Sequence, residues 1–223
     1  NFKTNVDGIN LHFIIEKSKN PKSRPLLLLH GWPGSVIEFF DIIPKLAHPE
    51  KFGGKIEDGF DVIVPSLPGF GFSSKPDNVE YSMDYFNGKL IEFADALELN
   101  QFSLIGNSLG GALSLGLSLN KPERIKKLIL MGSGGIEDME TYNSMPGIQK
   151  LLSDFLGGEM NQEKIEGLLK LFPYDSSIIT DEMIEDRMQI LPLMNPQVLA
   201  SMKIPNLEDD LGKITHPMLV FWG

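Results

Sequence analysis

Short runs of branched apolar residues alternate along this chain with longer stretches whose apolar positions recur at helical spacing. The runs "PLLLLH" (25–30), "DVIVPS" (61–66), "FSLIG" (102–106), "KKLILMG" (126–132) and "PMLVFWG" (217–223) are continuous rather than alternating, and read as buried strands. Between them, residues 36–46, 83–97 and 110–119 carry helical patterns. The opening "NFKTNVDGINLHFIIEK" reads as two strands joined at Asp7-Gly8, a dipeptide suited to a two-residue hairpin turn. Strands alternating with helices predict an α/β chain: a mostly parallel sheet with helices on both faces. From 136 to 210 the rhythm breaks. No strand pattern appears there, only helical pieces interrupted at Gly157-Gly158, Pro173, Pro192, Pro196 and Pro205. The expected division is a first core part over 1–135, a helical lid over 136–210, and a returning core strand over 211–223.

Two motifs carry chemistry. "FSLIGNSLGGALSLG" (102–116) sets Ser108 between Gly106 and Gly110 where a strand passes into a helix. A sharp strand-to-helix turn, with glycines where side chains would clash, is what exposes a nucleophilic serine. The bare pattern also fits a Gly-rich turn with a capping serine, and the strand-to-helix context favours the nucleophile. "LLLLHGWPGS" (26–35) is a buried strand ending in His-Gly and a turn. In the α/β-hydrolase fold the loop after this strand lends one backbone N–H to an oxyanion, and the residue after the nucleophile lends the other. Here these are Trp32 and Leu109. The fold expected is therefore the α/β-hydrolase fold.

Composition narrows the partners. The 223 residues carry a formal net charge of −10, which repels phosphate backbones and anionic lipid. No apolar run reaches bilayer-spanning length and no leader pattern opens the chain. With no cysteine, disulfides, thiol catalysis and thiolate metal sites are excluded. What remains is a small-molecule substrate, no nucleic acid or membrane partner, no metal or organic cofactor, and a cytoplasmic location by default. A homo-oligomer stays open.

Residues 1 to 75, with "HGWPGSVIEFFDIIPKL" and "DGFDVIVPSLPGFGFSSKP", resemble the N-terminal part of microsomal-type epoxide hydrolases. From residue 80 onward the chain resembles instead the meta-cleavage-product (C–C bond) hydrolases and their esterase relatives. That likeness is carried by "LIGNSLGGALSLGLSLNKPERIKKLILMGSGG", "LFPYDSSIITDEMIEDRM" and "IPNLEDDLGKITHPMLVFWG". Epoxide hydrolases use an aspartate nucleophile followed by tryptophan, whereas this chain has Ser108 followed by Leu109. A serine ether formed by opening an epoxide would have no hydrolytic exit, so the second resemblance is expected to set the chemistry. It implies hydrolysis of a 2-hydroxy-6-oxo-dienoate from aromatic ring cleavage. It also implies that Arg187 holds the substrate carboxylate and that Asn107, with Gly31, binds substrate near the oxyanion site. On pattern alone, Arg187 sits among Met183, Ile190 and Met194 behind a Thr180 N-cap. That equally suits an arginine whose stem covers apolar surface while its head reaches water. The Asn107 amide equally suits satisfying turn backbone groups. A carboxylesterase acting on simple esters is the nearest rival. A non-catalytic or epoxide-hydrolase-related binding member is the more distant one.

A serine nucleophile needs a base. Four histidines are present, at 12, 30, 48 and 216. His12 and His48 are expected to face solvent. His216 precedes its strand, about 17 Å from the carboxyl edge at about 3.3 Å per residue. His30 lies at the right edge but is expected to organise the oxyanion loop. In the C–C hydrolases the acid follows "FWG" within a few residues and the histidine comes after the next strand. The resemblance thus implies that both lie beyond Gly223 and that these residues are part of a longer chain.

Overall fold

The computed structural model describes residues 1–158 and 161–222. Its N-terminal hairpin joins β1 (Phe2–Val6) to β2 (Ile9–Glu16) through Asp7 and Gly8, with φ of 42° and 81°. Positive φ at both central residues is the type I′ requirement, and it matches the twist of the flanking strands. The other strands are β3 (Pro25–Leu29), β4 (Asp61–Pro65), β5 (Phe102–Asn107), β6 (Ile125–Met131) and β7 (Met218–Phe221). They form one sheet in the order β1-β2-β4-β3-β5-β6-β7, antiparallel through β2 and β4 and parallel from β4 to β7.

The four leucines of "PLLLLH" show why an unbroken apolar run belongs here. Leu27 and Leu29 enter one buried cluster, while Leu26 and Leu28 enter another on the opposite face. The helices flanking the sheet are α1 (Ile43–Ala47), α2 (Met83–Ala96) and α3 (Leu109–Asn120). Phe86, Leu90 and Phe93 of α2 and Leu113 and Leu117 of α3 pack with Leu27 and Leu29, and Ile43 and Ala47 of α1 pack with Leu26 and Leu28. β3 therefore needs apolar side chains at every position, because both of its faces are covered. Register pairs Leu28 with Ile105 and Leu29 with Gly106, so β3 and β5 end side by side.

Two expectations are corrected. Residues 36–46 do not form one helix. A 3₁₀ turn spans Val36–Phe39, capped by the Ser35 hydroxyl, and α1 begins afresh at Ile43. Pro44 lies in the first turn of α1, where its missing N–H costs nothing, and it could not have continued a helix from the preceding turn. β7 was expected to be buried, yet Met218, Leu219, Val220 and Phe221 are between 40% and 54% exposed. The reason is position in the sheet order: β7 is an edge strand paired only to β6.

Among the described residues between 136 and 210 the structure has no strand. The helices there are α4 (Met139–Ser144), α5 (Pro146–Leu156), α6 (Gln162–Leu169), α7 (Asp181–Ile190) and α8 (Pro196–Ser201). α6 and α7 build a small core of their own, with Ile165 and Ile184 packed against Leu191. Thr180 caps α7, its hydroxyl accepting from the Met183 N–H at 3.2 Å.

Candidate active site

Ser108 occupies the junction of β5 and α3 with φ 51° and ψ −112°. A non-glycine residue in this region is strained, at a cost on the order of 1–3 kcal/mol, and persists only where its surroundings over-determine it. They do so here. The Ser108 N–H donates to the Met131 carbonyl at 2.9 Å, and its own carbonyl accepts from Gly134 at 3.0 Å and Ala112 at 3.1 Å. The flanking glycines make room: a Cβ on Gly106 would overlap the Gly110 carbonyl, and one on Gly110 would overlap the Leu29 carbonyl. Ser108 stays partly exposed, while Leu109, the first residue of α3, is buried. The Leu109 N–H heads the helix, so it has no carbonyl one turn back to bond.

The loop after β3 closes on this elbow. A Cβ on Gly31 would stand 3.0 Å from the Ser108 Cβ and 3.3 Å from the Asn107 carbonyl oxygen, so only glycine fits without displacement. His30 holds the loop from behind. It is fully buried against the edge of Phe70. Its Nδ1 donates to the Gly31 carbonyl at 2.9 Å, and its Nε2 accepts from the Leu67 N–H at 3.1 Å. Both ring nitrogens are committed, and burial lowers the pKa to about 4 against the raising effect of the Gly31 carbonyl. A neutral imidazole with no free lone pair cannot take a proton from Ser108. Trp32 follows Gly31, partly buried against the main core cluster.

A residue overlooked in the sequence stands at the centre of the site. Glu38, in the 3₁₀ turn after the loop, folds back so that one carboxylate oxygen accepts both the Asn107 Nδ2–H at 2.8 Å and the Gly31 N–H at 3.2 Å. Gly34 provides the seat, since a Cβ there would overlap the other carboxylate oxygen. Burial pushes the Glu38 pKa up, against the lowering effects of Asn107, Gly31, Arg187 and Ser35. Arg187, on α7, is partly buried. Its guanidinium donates to the Met183 carbonyl at 3.4 Å, and burial opposes its charge while Glu38 and Asp186 favour it. The one available signal for Glu38 was a single carboxylate inside the otherwise apolar stretch "VIEFF". Gly31, Trp32, Asn107, Ser108 and Leu109 therefore gather at the adjoining ends of β3 and β5, whereas Arg187 hydrogen-bonds Met183 on its own helix and acts on Glu38 only through its charge.

The remaining histidines lie elsewhere. His12 and His48, expected to face solvent, are only 5% and 8% exposed. His12 Nδ1 meets the Ser66 hydroxyl at 2.9 Å, and His48 Nε2 meets Glu16 at 2.7 Å. Each polar ring is buried because a partner distant in sequence satisfies it. His216 donates to the Pro122 carbonyl at 2.9 Å, beside the amino end of β6 and therefore at the edge of the sheet opposite Ser108. Among the described residues, no group of three or more acidic or histidine side chains is arranged to hold a metal ion, and no helix is long and apolar enough to cross a membrane.

Residues 24–176 match the profile of a family described as the alpha/beta hydrolase fold. The chain belongs to the α/β-hydrolase family. Residues 1–39 of the chain also match a family described as the epoxide hydrolase N terminus. A Stigmatella aurantiaca protein carrying an epoxide-hydrolase name is 42% identical over 122 residues, covering 55% of this chain and 28% of its own. The 2-hydroxy-6-oxo-6-phenylhexa-2,4-dienoate hydrolase of Burkholderia cepacia is 35% identical over 187 residues, covering 78% of this chain and 63% of its own. The chain thus spans less than two thirds of the length of these relatives. In structure, the meta-cleavage product hydrolase of Pseudomonas fluorescens superposes with a TM-score of 0.76 at 24% identity, over 99% of this chain and 78% of that one. That likeness is one of fold. The two resemblances in the sequence, epoxide-hydrolase-like at the start and meta-cleavage-hydrolase-like afterwards, are both borne out.

Proposed function

We propose that Ser108 is the nucleophile of a hydrolase working by acyl transfer, with residues 136–210 serving as a lid over the site. The observation that carries this reading is the elbow, a partly exposed serine at φ 51° pinned by three backbone hydrogen bonds. In the mechanism, Ser108 Oγ attacks a substrate carbonyl carbon as a base removes its proton. The oxyanion that forms is met by the backbone N–H groups of Leu109 and Trp32, each such donor being worth roughly 3 kcal/mol. The leaving group departs with the proton, and water then cleaves the acyl-serine. His30 has both ring nitrogens committed, His216 lies at the opposite edge of the sheet, and His12 and His48 are engaged with Ser66 and Glu16 away from the elbow. The reading therefore requires a base from outside residues 1–223.

The substrate class supported by the relatives' names is a 2-hydroxy-6-oxo-dienoate, whose carboxylate would fall to Arg187, with Asn107 and Gly31 beside it. Simple esters are a second reading, favoured by Glu38, which already engages both Asn107 and the Gly31 N–H. The test is turnover by the gene product of 2-hydroxy-6-oxo-6-phenylhexa-2,4-dienoate and of a p-nitrophenyl ester. Ser108→Ala should cut kcat on the preferred substrate by roughly 10⁴ or more. Undiminished turnover in that variant removes the nucleophile. Arg187→Ala separates the classes: a loss of about 2 to 4 kcal/mol on the dienoate alone supports C–C hydrolysis. No loss on either substrate supports the ester reading.

A further inference from the structure

We propose that Glu38 sets the charge preference of this site: hydrogen-bonded to Asn107 and Gly31, it occupies groups that would hold a substrate carboxylate and turns the site toward uncharged carbonyl compounds. The proposal rests on Ser108 marking the site and extends the second of the two substrate readings.

The carboxylate does more than build the turn that carries it, where it pairs with the Ser35 backbone as the partner of the Ser35 cap. Ser35 caps that turn, its hydroxyl accepting the Ile37 N–H at 3.3 Å. The Glu38 side chain also crosses from the β3 loop to the β5 elbow and meets an amide 69 positions away in sequence. Gly34 is bare where the carboxylate lies, so loop and side chain fit one another. Asn107 Nδ2 and the Gly31 N–H both point at the same oxygen, and a side chain at Gly31 would crowd the Ser108 Cβ. A substrate anion approaching Ser108 would have to displace a carboxylate from these donors or share Arg187 with it.

Two like charges some 6 Å apart at an effective dielectric near 20 repel strongly enough to change affinity by about tenfold or more. An uncharged acyl group meets no such opposition. Burial works against the Glu38 charge, while the donors Asn107 and Gly31 and the positive charge of Arg187 favour it, and the experiment is set on the alkaline side for that reason.

The experiment is a pair of calorimetric titrations at pH 8, with the anion sorbate and its uncharged isostere sorbamide. The wild-type protein should bind sorbamide at least as tightly as sorbate. Glu38→Gln keeps an acceptor for Asn107 and Gly31 but removes the charge. It should tighten sorbate about tenfold or more and leave sorbamide within about twofold. Adding Arg187→Ala to Glu38→Gln should abolish the gain. Glu38→Asp, which keeps the charge on a shorter stem, should go on disfavouring sorbate. Equal weakening of both ligands in Glu38→Gln would make Glu38 a scaffold residue and overturn the proposal. Unchanged sorbate affinity, a wild-type preference for sorbate, or binding of neither ligand would overturn it too. A sorbate gain in Glu38→Gln alongside undiminished turnover in Ser108→Ala would keep the charge preference and remove the nucleophile.

Discussion

At the scale of single residues, His30 shows how a titratable group becomes a structural one. Its imidazole is fully buried, donates from Nδ1, accepts at Nε2, and titrates at about 4 rather than 6.5. Protons therefore bind the unfolded chain more tightly than the folded one. The stability tied to neutral His30 is fully present above pH 6.5 and is lost as pH falls through about 4. The shift is worth about 3 kcal/mol. Chemical denaturation of wild type and His30→Asn from pH 7 to pH 4 should show the gap between them closing by about that amount. A constant gap would mean that the imidazole is not held neutral. The loop after β3 depends on this ring, since the Gly31 carbonyl and the Leu67 N–H both anchor to it.

At the scale of elements, α7 is a weakly held helix with a defined start. Only Ile184 and Ile190 of its ten residues are buried, so packing contributes little. Its first turn relies on the Thr180 hydroxyl and on Asp181 and Glu182 facing the positive end of the helix dipole. Thr180→Ala should therefore cost about 1 kcal/mol. The loss should be local: amide exchange over 181–190 should quicken while the amides of β3 and β5 keep their protection. Exchange unchanged over 181–190 would show that packing, not the cap, holds the helix. α3 stands at the other extreme, with ten residues buried, from Leu109 to Ser118. The elbow is thus rigid, whereas the helix bearing Arg187 is marginal.

At the scale of the molecule, the sheet has one well-covered side and one exposed margin. Leu11, Leu27, Ile63 and Leu104 are buried with α2 and α3, whereas β7 presents Met218, Leu219, Val220 and Phe221 to solvent beyond β6. An exposed apolar edge strand is a template for pairing with another chain. The polypeptide of residues 1–223 should therefore self-associate as concentration rises. Val220→Lys should suppress this while changing unfolding free energy by only about 0.5 kcal/mol. Light scattering of the two proteins at matched concentration checks it; equal scattering would point to a different surface.

What the sequence by itself determined was whatever depends on neighbours along the chain. The hairpin at Asp7-Gly8, the five parallel strands, α2 and α3, the Thr180 cap and the Gly-Asn-Ser-Leu-Gly elbow follow from local conformational preference and periodicity. So does the place of His216 at the amino end of its strand, legible from order alone. Tertiary structure decided what depends on partners far away in sequence. His12 is buried because Ser66, 54 residues on, satisfies it, and β7 is exposed because it falls at the sheet margin. Glu38 became part of the site because the ends of β3 and β5 lie together, bringing it within 2.8 Å of Asn107. A carboxylate in an apolar stretch carries no mark of the amide it will meet. Only the register of two strands supplies that amide.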